Sequence, residues 1–387
     1  MTKALNASFS LDRNPKLGYL PALDGLRALA IIAVMLFHFR SKPLVPGGGI
    51  VGVDLFFVLS GFLITTLLLQ EWARSGDISL KRFYQRRVLR LAPALILFIA
   101  VYVSITMAFR SHEFTGQPSL TLVLVNIAAI ATYTLNWVWA SGGGTILGVS
   151  HLWSLSIEEQ FYMIWPAALL VLLRLKLPAL SVMSVTVVVI CVSALLPLLI
   201  DAPRNRFYFG TDFRLQTLLF GALLAQLYVS GVLQATLTKL LVYRVALAGA
   251  LLFLVATTLL ATNRVAFLFD GGHTAVAISS GILIVGCMFQ QRTLLTGILS
   301  HPMLVYIGQR SYALYIWHLA IGSWLRAVDP MPQVAIAFLL SFLAAELSYR
   351  LVEAPALRLK SRLGKSQTED SQPASSAIPE PNPGAAA

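Results

Sequence analysis

The amino-acid sequence predicts an all-α membrane protein, a polytopic bundle of about ten transmembrane helices with one re-entrant or incomplete span. The first observation is composition, since 57% of the 387 residues are hydrophobic and only 12% are charged, with a mean hydropathy of +0.76. A water-facing surface needs more charge than this. The second is that long apolar runs recur as far as residue 352, most of them near the roughly 20 residues that cross hydrocarbon as a helix. Barrel strands would be shorter and would alternate in polarity.

The spans can be placed in order by their flanking charges. The positive-inside rule assigns the basic linker 74–90 and the N-terminal arm to the cytoplasm, with two crossings between them. Later basic groups put the C-terminal end there too, which requires an even number of complete crossings. One of the runs 91–109 and 119–139 is therefore expected to be tilted, re-entrant or incomplete, and the sequence leaves open which. The apolar runs fall near residues 21–40, 50–71, 91–109, 119–139, 161–174, 179–200, 213–230, 243–261, 274–290, 311–328 and 333–352.

The chain divides into three parts. Residues 1–20 are expected to be a cytoplasmic arm without a cleavable signal pattern, and residues 21–360 form the transmembrane domain. Residues 361–387 are rich in Ser, Pro and Ala, which predicts a disordered cytoplasmic tail. The net charge of +12 does not indicate nucleic-acid binding, because the basic residues lie at the ends of spans. The isolated Cys191 and Cys287 suggest neither a disulfide framework nor a metal site.

The first span, "LDGLRALAIIAVMLFHFR", contains Arg27 and His38. Helical geometry puts both on one face, about 16 Å apart. Asp24 lies three residues before Arg27, and we expect the two to pair. Ionisable groups inside spans are costly and mark functional sites by default. The alternative is an arginine that reaches the headgroups and a histidine at the far interface.

The second span, "GGGIVGVDLFFVLSGFLI", carries Asp54 and the small pair Ser60-Gly61. Asp54 could interact with the helix N-terminus or orient an imidazole. The small pair could serve only close helix packing.

The basic linker places Arg86, Arg87 and Arg90 on or near one face of a helix that continues into "LAPALILF". Such a cluster could anchor anionic lipid or set the topology. It could also bind a phosphorylated cytoplasmic donor, because guanidinium groups suit phosphate oxygens.

Polar residues also concentrate in "HLWSLSIEEQFYMIWP", where His151, Glu158 and Tyr162 enter a span. A capping box formed by Ser154 or Ser156 would explain the carboxylates, and an interfacial belt would explain aromatic residues such as Trp153. Two later intrusions have structural explanations. Asp212 and Arg214 could form a local ion pair, and His318 could be a buried hydrogen-bonding residue.

These motifs, in this order along residues 20 to 360, resemble the acyltransferase family 3 membrane proteins, which O-acylate sugars and other small acceptors. The resemblance implies that Arg27 and His38 are essential for transfer. It also implies that an R-x-x-R pair, Arg87 and Arg90, handles the acyl-CoA donor. The matching motifs are "LDGLRALAIIAVMLFH", "GVDLFFVLSGFLI", "RRVLRLAPA", "HLWSLSIEEQFYMIWP", "TDFRLQTLLFGALLA", "SYALYIWH" and "YRLVEAPALR". We expect the stand-alone form, without the C-terminal hydrolase-like domain that some relatives carry.

The resemblance leads to a specific hypothesis, the transfer of an acyl group, expected to be acetyl, from acyl-CoA to a hydroxyl. His38 is assigned as general base or transient acyl carrier, with Glu158 or Asp54 orienting its ring. Arg27 would hold the donor or stabilise negative charge on the thioester carbonyl. Catalytic roles thus fall on His38, Arg27 and Glu158, and donor binding on Arg86, Arg87 and Arg90. The candidate supporting residues are Asp24, Asp54, Ser60, Gly61, His151, Trp153, Tyr162, Arg214 and His318.

The expected partners are the acyl-CoA co-substrate, a carbohydrate or other hydroxyl acceptor, and the lipid bilayer, with no bound cofactor, metal or nucleic acid. A bacterial inner membrane with both termini cytoplasmic is the expected location. A transporter that uses the intramembrane charges as a substrate or proton path is the alternative function, and a scaffold or sensor is a third. The acceptor, the acyl chain length, an acyl-histidine intermediate and the oligomeric state stay open.

Overall fold

The computed structural model describes residues 9, 17–39, 49, 51–108, 119–144, 146–236, 240–260, 271–289, 293–325 and 330–358. Every regular element among these residues is helical, with no strand. This confirms the predicted all-α class. Most of the N-terminal arm and the whole of the predicted tail 361–387 lie outside the described residues.

Each predicted apolar run contains helix, but α3 and α6 begin well before their runs and several short helices lie between the runs. We number them α1 Pro21–His38, α2 Val51–Ser75, α3 Leu80–Ala108, α4 Leu120–Ala131, α5 Leu135–Ala140, α6 Trp153–Arg174, α7 Ala179–Leu199, α8 Arg204–Phe209, α9 Thr211–Val229, α10 Val232–Thr236, α11 Leu240–Leu260, α12 His273–Phe289, α13 Leu294–Leu299, α14 Pro302–Gln309, α15 Ser311–Trp324 and α16 Pro330–Ser348. A 3₁₀ segment, Leu147–Leu152, precedes α6, and a π-helical turn, Tyr349–Glu353, follows α16.

Six helical segments of the described chain are long and apolar enough to cross a membrane. They are Pro21–His38, Val51–Ser75, Leu80–Ala108, Leu147–Arg174, Ala179–Leu199 and Pro332–Arg358. Shorter apolar helices include Leu120–Ala131, Tyr243–Leu259 and His273–Phe289. The chain is therefore a multi-pass integral membrane protein, and the number of about ten complete crossings stays a prediction.

The run 119–139 is the broken one of the two that the sequence could not separate. Its first helix, α4, has 12 residues, about 18 Å of helix against a hydrocarbon core of about 30 Å. The chain then turns at Tyr133, whose φ is +53°, and continues as the short α5. Gln160 of α6 donates hydrogen bonds to the Tyr133 carbonyl at 2.6 Å and to Asn136 Oδ1 at 2.9 Å. These bonds satisfy polar groups that the break leaves inside the protein.

Helices α2 and α9 cross in close contact because each has a glycine at the crossing. A Cβ added to Gly61 would lie 1.9 Å from the carbonyl oxygen of Leu218, and one added to Gly221 would lie 2.0 Å from that of Val58. Only glycine allows backbones to approach this closely. Gly61 thus has a packing role.

The first helix is fixed on two sides, which positions its polar residues. Gly25 packs on the backbone of Leu299, and Gly308 of α14 packs on the backbone of Asp24, each so closely that a Cβ would lie 1.9 Å from a carbonyl oxygen. Helix α15 also packs along α1. The face of α1 that carries Arg27 and His38 is therefore held against protein.

Candidate active site

A cavity of about 300 Å³ lies among α1, α2, α3, α6 and α15. It brings together residues that are far apart in the sequence and that we had singled out separately. The predicted residues at its wall are Arg27, Ser60, Arg87, Arg90, Ser154, Glu158 and Tyr162. Three of them are arginines and only Glu158 is acidic, so the polar part of the wall carries excess positive charge.

Arg27 faces the cavity from α1 but does not pair with Asp24 as predicted. Its Nε and Nη2 atoms donate to Ser311 Oγ of α15 at 3.1 and 2.9 Å. Asp24 instead accepts a hydrogen bond from the Tyr19 hydroxyl at 2.9 Å. The helical spacing permits the predicted pair, but the Arg27 side chain turns towards α15. A prediction from the first helix alone cannot include a partner on another helix.

Arg87 and Arg90 reach the same cavity from α3. They lie three residues apart, on one face of the helix. The Arg87 guanidinium stacks over the Tyr162 ring, 4.3 Å from its centroid, a geometry that favours a cation. Arg86 points elsewhere, is exposed, and pairs with Glu71 of α2 at 3.3 Å. Arg86 does not line the cavity. The prediction that it shares the donor site is therefore wrong, although its four-residue spacing from Arg90 puts it near the same face of the helix.

Ser60, Glu158 and Tyr162 line the same cavity from α2 and α6. The Ser60 hydroxyl and the Tyr162 hydroxyl are in direct hydrogen-bonding contact between α2 and α6. The capping-box alternative for the Glu158 region does not occur, since α6 has no side-chain cap. Ser60 thus lines the cavity while its neighbour Gly61 serves the packing of α2.

Three histidines form a second cluster. His38 at the end of α1 has its Nδ1 atom 3.0 Å from Nε2 of His318 on α15. The His318 ring is completely buried, and the His151 ring packs edge-on against it at a centroid distance of 4.8 Å. The predicted orienting carboxylates are wrong: within the described part of the chain, His38 forms no ion pair or hydrogen bond with Asp54 or Glu158. Its ring partner is an imidazole.

Tyr315 connects the cavity with the histidine cluster. It lines the cavity, and its hydroxyl donates to the His151 carbonyl at 2.7 Å. Because that hydroxyl has one proton, the 2.6 Å contact with Ser154 Oγ is a bond that Ser154 donates. We did not single out Tyr315 or Ser311 from the sequence, although Ser311, Tyr315 and His318 follow helical spacing on one face of α15.

Asp54 and Arg214 form a third, separate cluster. They make an ion pair between α2 and α9 in which each side chain is 1% exposed. His273 of α12, which the sequence reasoning missed, places its Nδ1 atom 2.7 Å from the second carboxylate oxygen. The predicted local pair of Asp212 with Arg214 is wrong, since Asp212 pairs with Arg206 at 2.9 Å. Asp54 therefore neutralises a buried cation.

Trp153 belongs to this third cluster and does not line the cavity. Its ring packs on Tyr208 and Phe209 at centroid distances of 5.2 and 5.1 Å, and the Arg214 guanidinium lies 5.7 Å from its centroid. The aromatic belt proposed as its alternative role would face the lipid, whereas Trp153 is only 6% exposed.

The arrangement combines an anion-binding wall with a pair of imidazoles. Guanidinium groups bind phosphate and carboxylate oxygens. A hydrogen-bonded imidazole can remove a proton from a hydroxyl.

Comparison with known proteins gives a consistent assignment. The family model described as an acyltransferase domain matches residues 20–350. A putative O-acetyltransferase of Staphylococcus aureus strain COL is 35% identical over 373 residues, 91% of this chain and 59% of that protein. The O-acetyltransferase OatA of S. aureus strain NCTC 8325 is 35% identical over 353 residues, 87% of this chain and 57% of that protein.

The chain spans less than two thirds of the length of these curated relatives. No solved structure is significantly similar to it. The family match, in contrast, covers most of the chain and includes all three clusters. The chain belongs to acyltransferase family 3.

Proposed function

We propose that this protein transfers an acetyl group from acetyl-CoA to a hydroxyl of a carbohydrate, and that this carbohydrate is a cell-surface glycan. The observation that carries the proposal is the cavity wall formed by Arg27, Arg87 and Arg90. Tyr315 joins it to the pair of His38 and His318, because its carbonyl oxygen lies 2.7 Å from His318 Nδ1. One part suits an anionic donor and the other suits activation of a hydroxyl.

The arginines are proposed to bind the CoA phosphates. None of the three forms an ion pair with a carboxylate in the part of the chain that the structure describes. Half-buried cations without a negatively charged partner are costly in a membrane protein, and phosphate oxygens would supply that negative charge. Glu158 lies on the same wall, where its negative charge offsets part of the repulsion among the guanidinium groups.

His38 is proposed as the general base. It removes the proton of the acceptor hydroxyl as the oxygen attacks the thioester carbonyl, the carbon–sulfur bond breaks, and the CoA thiolate takes up a proton. Arg27 and His38 are about 16 Å apart along α1. A CoA thioester suits this separation because its pantetheine arm holds the phosphates far from the acyl carbon. Arg27 would hold the donor from its phosphate side.

The relatives' names, O-acetyltransferase, support acetyl as the acyl group and oxygen as the acceptor atom. The span assignment supports a donor site that opens to the cytoplasm, since Arg87 and Arg90 adjoin the most basic linker. We place the protein in a bacterial inner membrane with both termini cytoplasmic. The family resemblance supports a carbohydrate as the acceptor.

The proposal is tested with membranes that contain the wild type or the His38→Ala variant, supplied with radiolabelled acetyl-CoA and isolated surface glycan. We expect the variant to lose about 100-fold or more of its transfer rate, because general-base catalysis contributes about that much. The control is His301→Asn, which changes an exposed histidine at the start of α14. A folded His38→Ala protein that transfers acetyl at the wild-type rate would contradict the proposal.

Mass spectrometry of surface glycans from cells with and without the protein identifies the acceptor and the acyl chain length. In cells without the protein, we expect a sugar to lose a modification of about 42 Da, the mass added when an acetyl group replaces a hydroxyl hydrogen. Vesicles that accumulate an unmodified solute, with no acyl transfer, would favour the transporter instead.

A further inference from the structure

The hydrogen bonds of His318 determine which nitrogen of His38 is free. His318 Nδ1 lies 2.7 Å from the Tyr315 carbonyl oxygen and 3.2 Å from that of Leu314. A carbonyl oxygen can only accept. The proton of a neutral His318 must therefore be on Nδ1, and its Nε2 atom carries a lone pair.

That lone pair sets the tautomer of the second ring. His38 Nδ1 lies 3.0 Å from His318 Nε2, so one of the two must donate. Since His318 Nε2 is the acceptor, His38 donates from Nδ1. A neutral imidazole has one N–H, and the lone pair of His38 is therefore on Nε2.

We infer that His318 is the positioning residue for His38, which acts through its Nε2 atom, and that the two rings together hold the proton taken from the acceptor hydroxyl. This rests on the proposed function. In many active sites a third group orients the catalytic base. That group is usually a carboxylate, whereas here it is the neutral imidazole of His318.

The proton movements balance. The hydroxyl proton goes to His38 Nε2 while the Nδ1 proton of His38 moves to His318 Nε2. His318 then carries a proton on both nitrogens, one donated to the Tyr315 carbonyl and the other to His38. When the thiolate leaves, His38 Nε2 gives it a proton, and the His318 Nε2 proton returns to His38 Nδ1. Nothing is oxidised or reduced, and both rings end as they began.

The surroundings favour a shared proton. His318 is completely buried and His151 is 2% exposed. The titratable side chains that the described residues place against the two rings are His151, at 4.8 Å from the His318 centroid, and Tyr315, at 5.6 Å. Neither carries a negative charge that would localise the proton on one ring. The Tyr315 and Leu314 carbonyls also fix the His318 ring from within its own helix.

Two variants of similar volume separate positioning from packing. His318→Leu fills the space without an acceptor, whereas His318→Gln offers an amide oxygen near the original Nε2 position. We expect kcat to fall about 100-fold in His318→Leu but only about 10-fold in His318→Gln. The KM for acetyl-CoA should stay within about twofold in both, since the arginine wall is unchanged. Equal kcat values in the two variants, or a KM that rises as much as kcat falls, would overturn the inference.

A measurement on the wild type keeps the test independent of mutant folding. Nitrogen-15 NMR of the histidine-labelled protein in detergent should show His38 protonated on Nδ1, with its signal assigned by its loss in His38→Asn. An Nε2-protonated His38 would overturn the inference. The two hypotheses fail differently: a wild type without acetyl transfer contradicts the proposed function, whereas an active wild type that needs His38 but tolerates His318→Leu contradicts only the inference.

Discussion

Single residues in this protein carry charges that the interior must neutralise. Asp54 and Arg214 pair with only 1% of either side chain exposed, and His273 completes the group. Removing one member of a buried pair leaves an uncompensated charge, which costs far more than the pair itself contributes. The cluster is best understood as a structural tie between α2, α9 and α12.

For Asp54→Asn, we expect the free energy of unfolding in detergent micelles to fall by about 3–5 kcal/mol, because Arg214 keeps its charge and loses its carboxylate. The matched control is Asp212→Asn, which breaks the partly exposed pair with Arg206 and should cost at most about 1 kcal/mol. Equal losses for the two variants would contradict a structural role for the buried cluster.

A second prediction at this scale concerns the donor wall. Arg90→Ala should raise the KM for acetyl-CoA about 10- to 100-fold, since a hydrogen bond to a charged group contributes about 1.5–3 kcal/mol. Arg86→Ala is the control, because that side chain is exposed and pairs with Glu71. Steady-state kinetics over a range of acetyl-CoA concentrations gives both values. If the cluster only anchors lipid, both variants would leave KM unchanged.

At the scale of elements, helix crossings place the catalytic groups. Helix α15 carries Ser311, Tyr315 and His318 on one face, and this face meets Arg27, the cavity and His38 in turn. The crossing of α2 with α9 depends on Gly61 and Gly221. Both crossings fix distances that neither helix determines alone.

Gly61→Ala should therefore destabilise the protein. The added Cβ would lie 1.9 Å from a backbone oxygen, and forcing the helices apart costs typically about 1–3 kcal/mol or more. Gly249→Ala on α11 is the control, because nothing lies within 4 Å of its Cβ position; replacing this helix glycine should stabilise by up to about 1 kcal/mol. Thermal unfolding in detergent compares the two, and a neutral Gly61→Ala would show that the crossing can adjust.

At the scale of the whole molecule, the direction of the chain through the membrane decides which side supplies the donor. The loop between α2 and α3 contains Asp77, which is exposed and bonded to Arg174 at 2.9 Å. In a Cys191→Ala, Cys287→Ala background, Asp77→Cys should react with a membrane-impermeant maleimide only from the cytoplasmic side. The background without an added cysteine is the control. Labelling from the outside would place the arginine wall away from cytoplasmic acetyl-CoA.

Much of the fold could be predicted from the sequence, because the length of an apolar run depends only on neighbouring residues. Most apolar runs correspond to helices with ends shifted by a few residues, whereas α3 and α6 begin at Leu80 and Trp153, well before the runs 91–109 and 161–174. The run 119–139 looks continuous in the sequence, yet it breaks at Tyr133, whose carbonyl accepts a hydrogen bond from Gln160 of α6. A polar residue on another helix thus stabilises the break, and the run's own sequence does not reveal it.

Most residues of the candidate site could also be predicted from the sequence, but the pairs that they form could not. Arg27, Arg87, Arg90 and Glu158 do line one cavity. The partners assigned by proximity in the sequence were wrong for Asp24 and Asp212, since each carboxylate bonds elsewhere. Asp54 does contact an imidazole, but that of His273 and not that of His38. Charge pairs across helices depend on which faces meet, and a single helix contains no information about that.

The sequence by itself determined that the chain is helical and membrane-embedded. It also showed that the spans contain polar groups whose burial is costly and which therefore indicate functional sites. The tertiary structure decided which of these groups act together. It separated an arginine-lined cavity, a histidine pair and a buried ion cluster that had looked like one set of candidates. The physical reason is that burying a polar group requires a partner within about 3 Å, and in a bundle that partner comes from whichever helix packs against it.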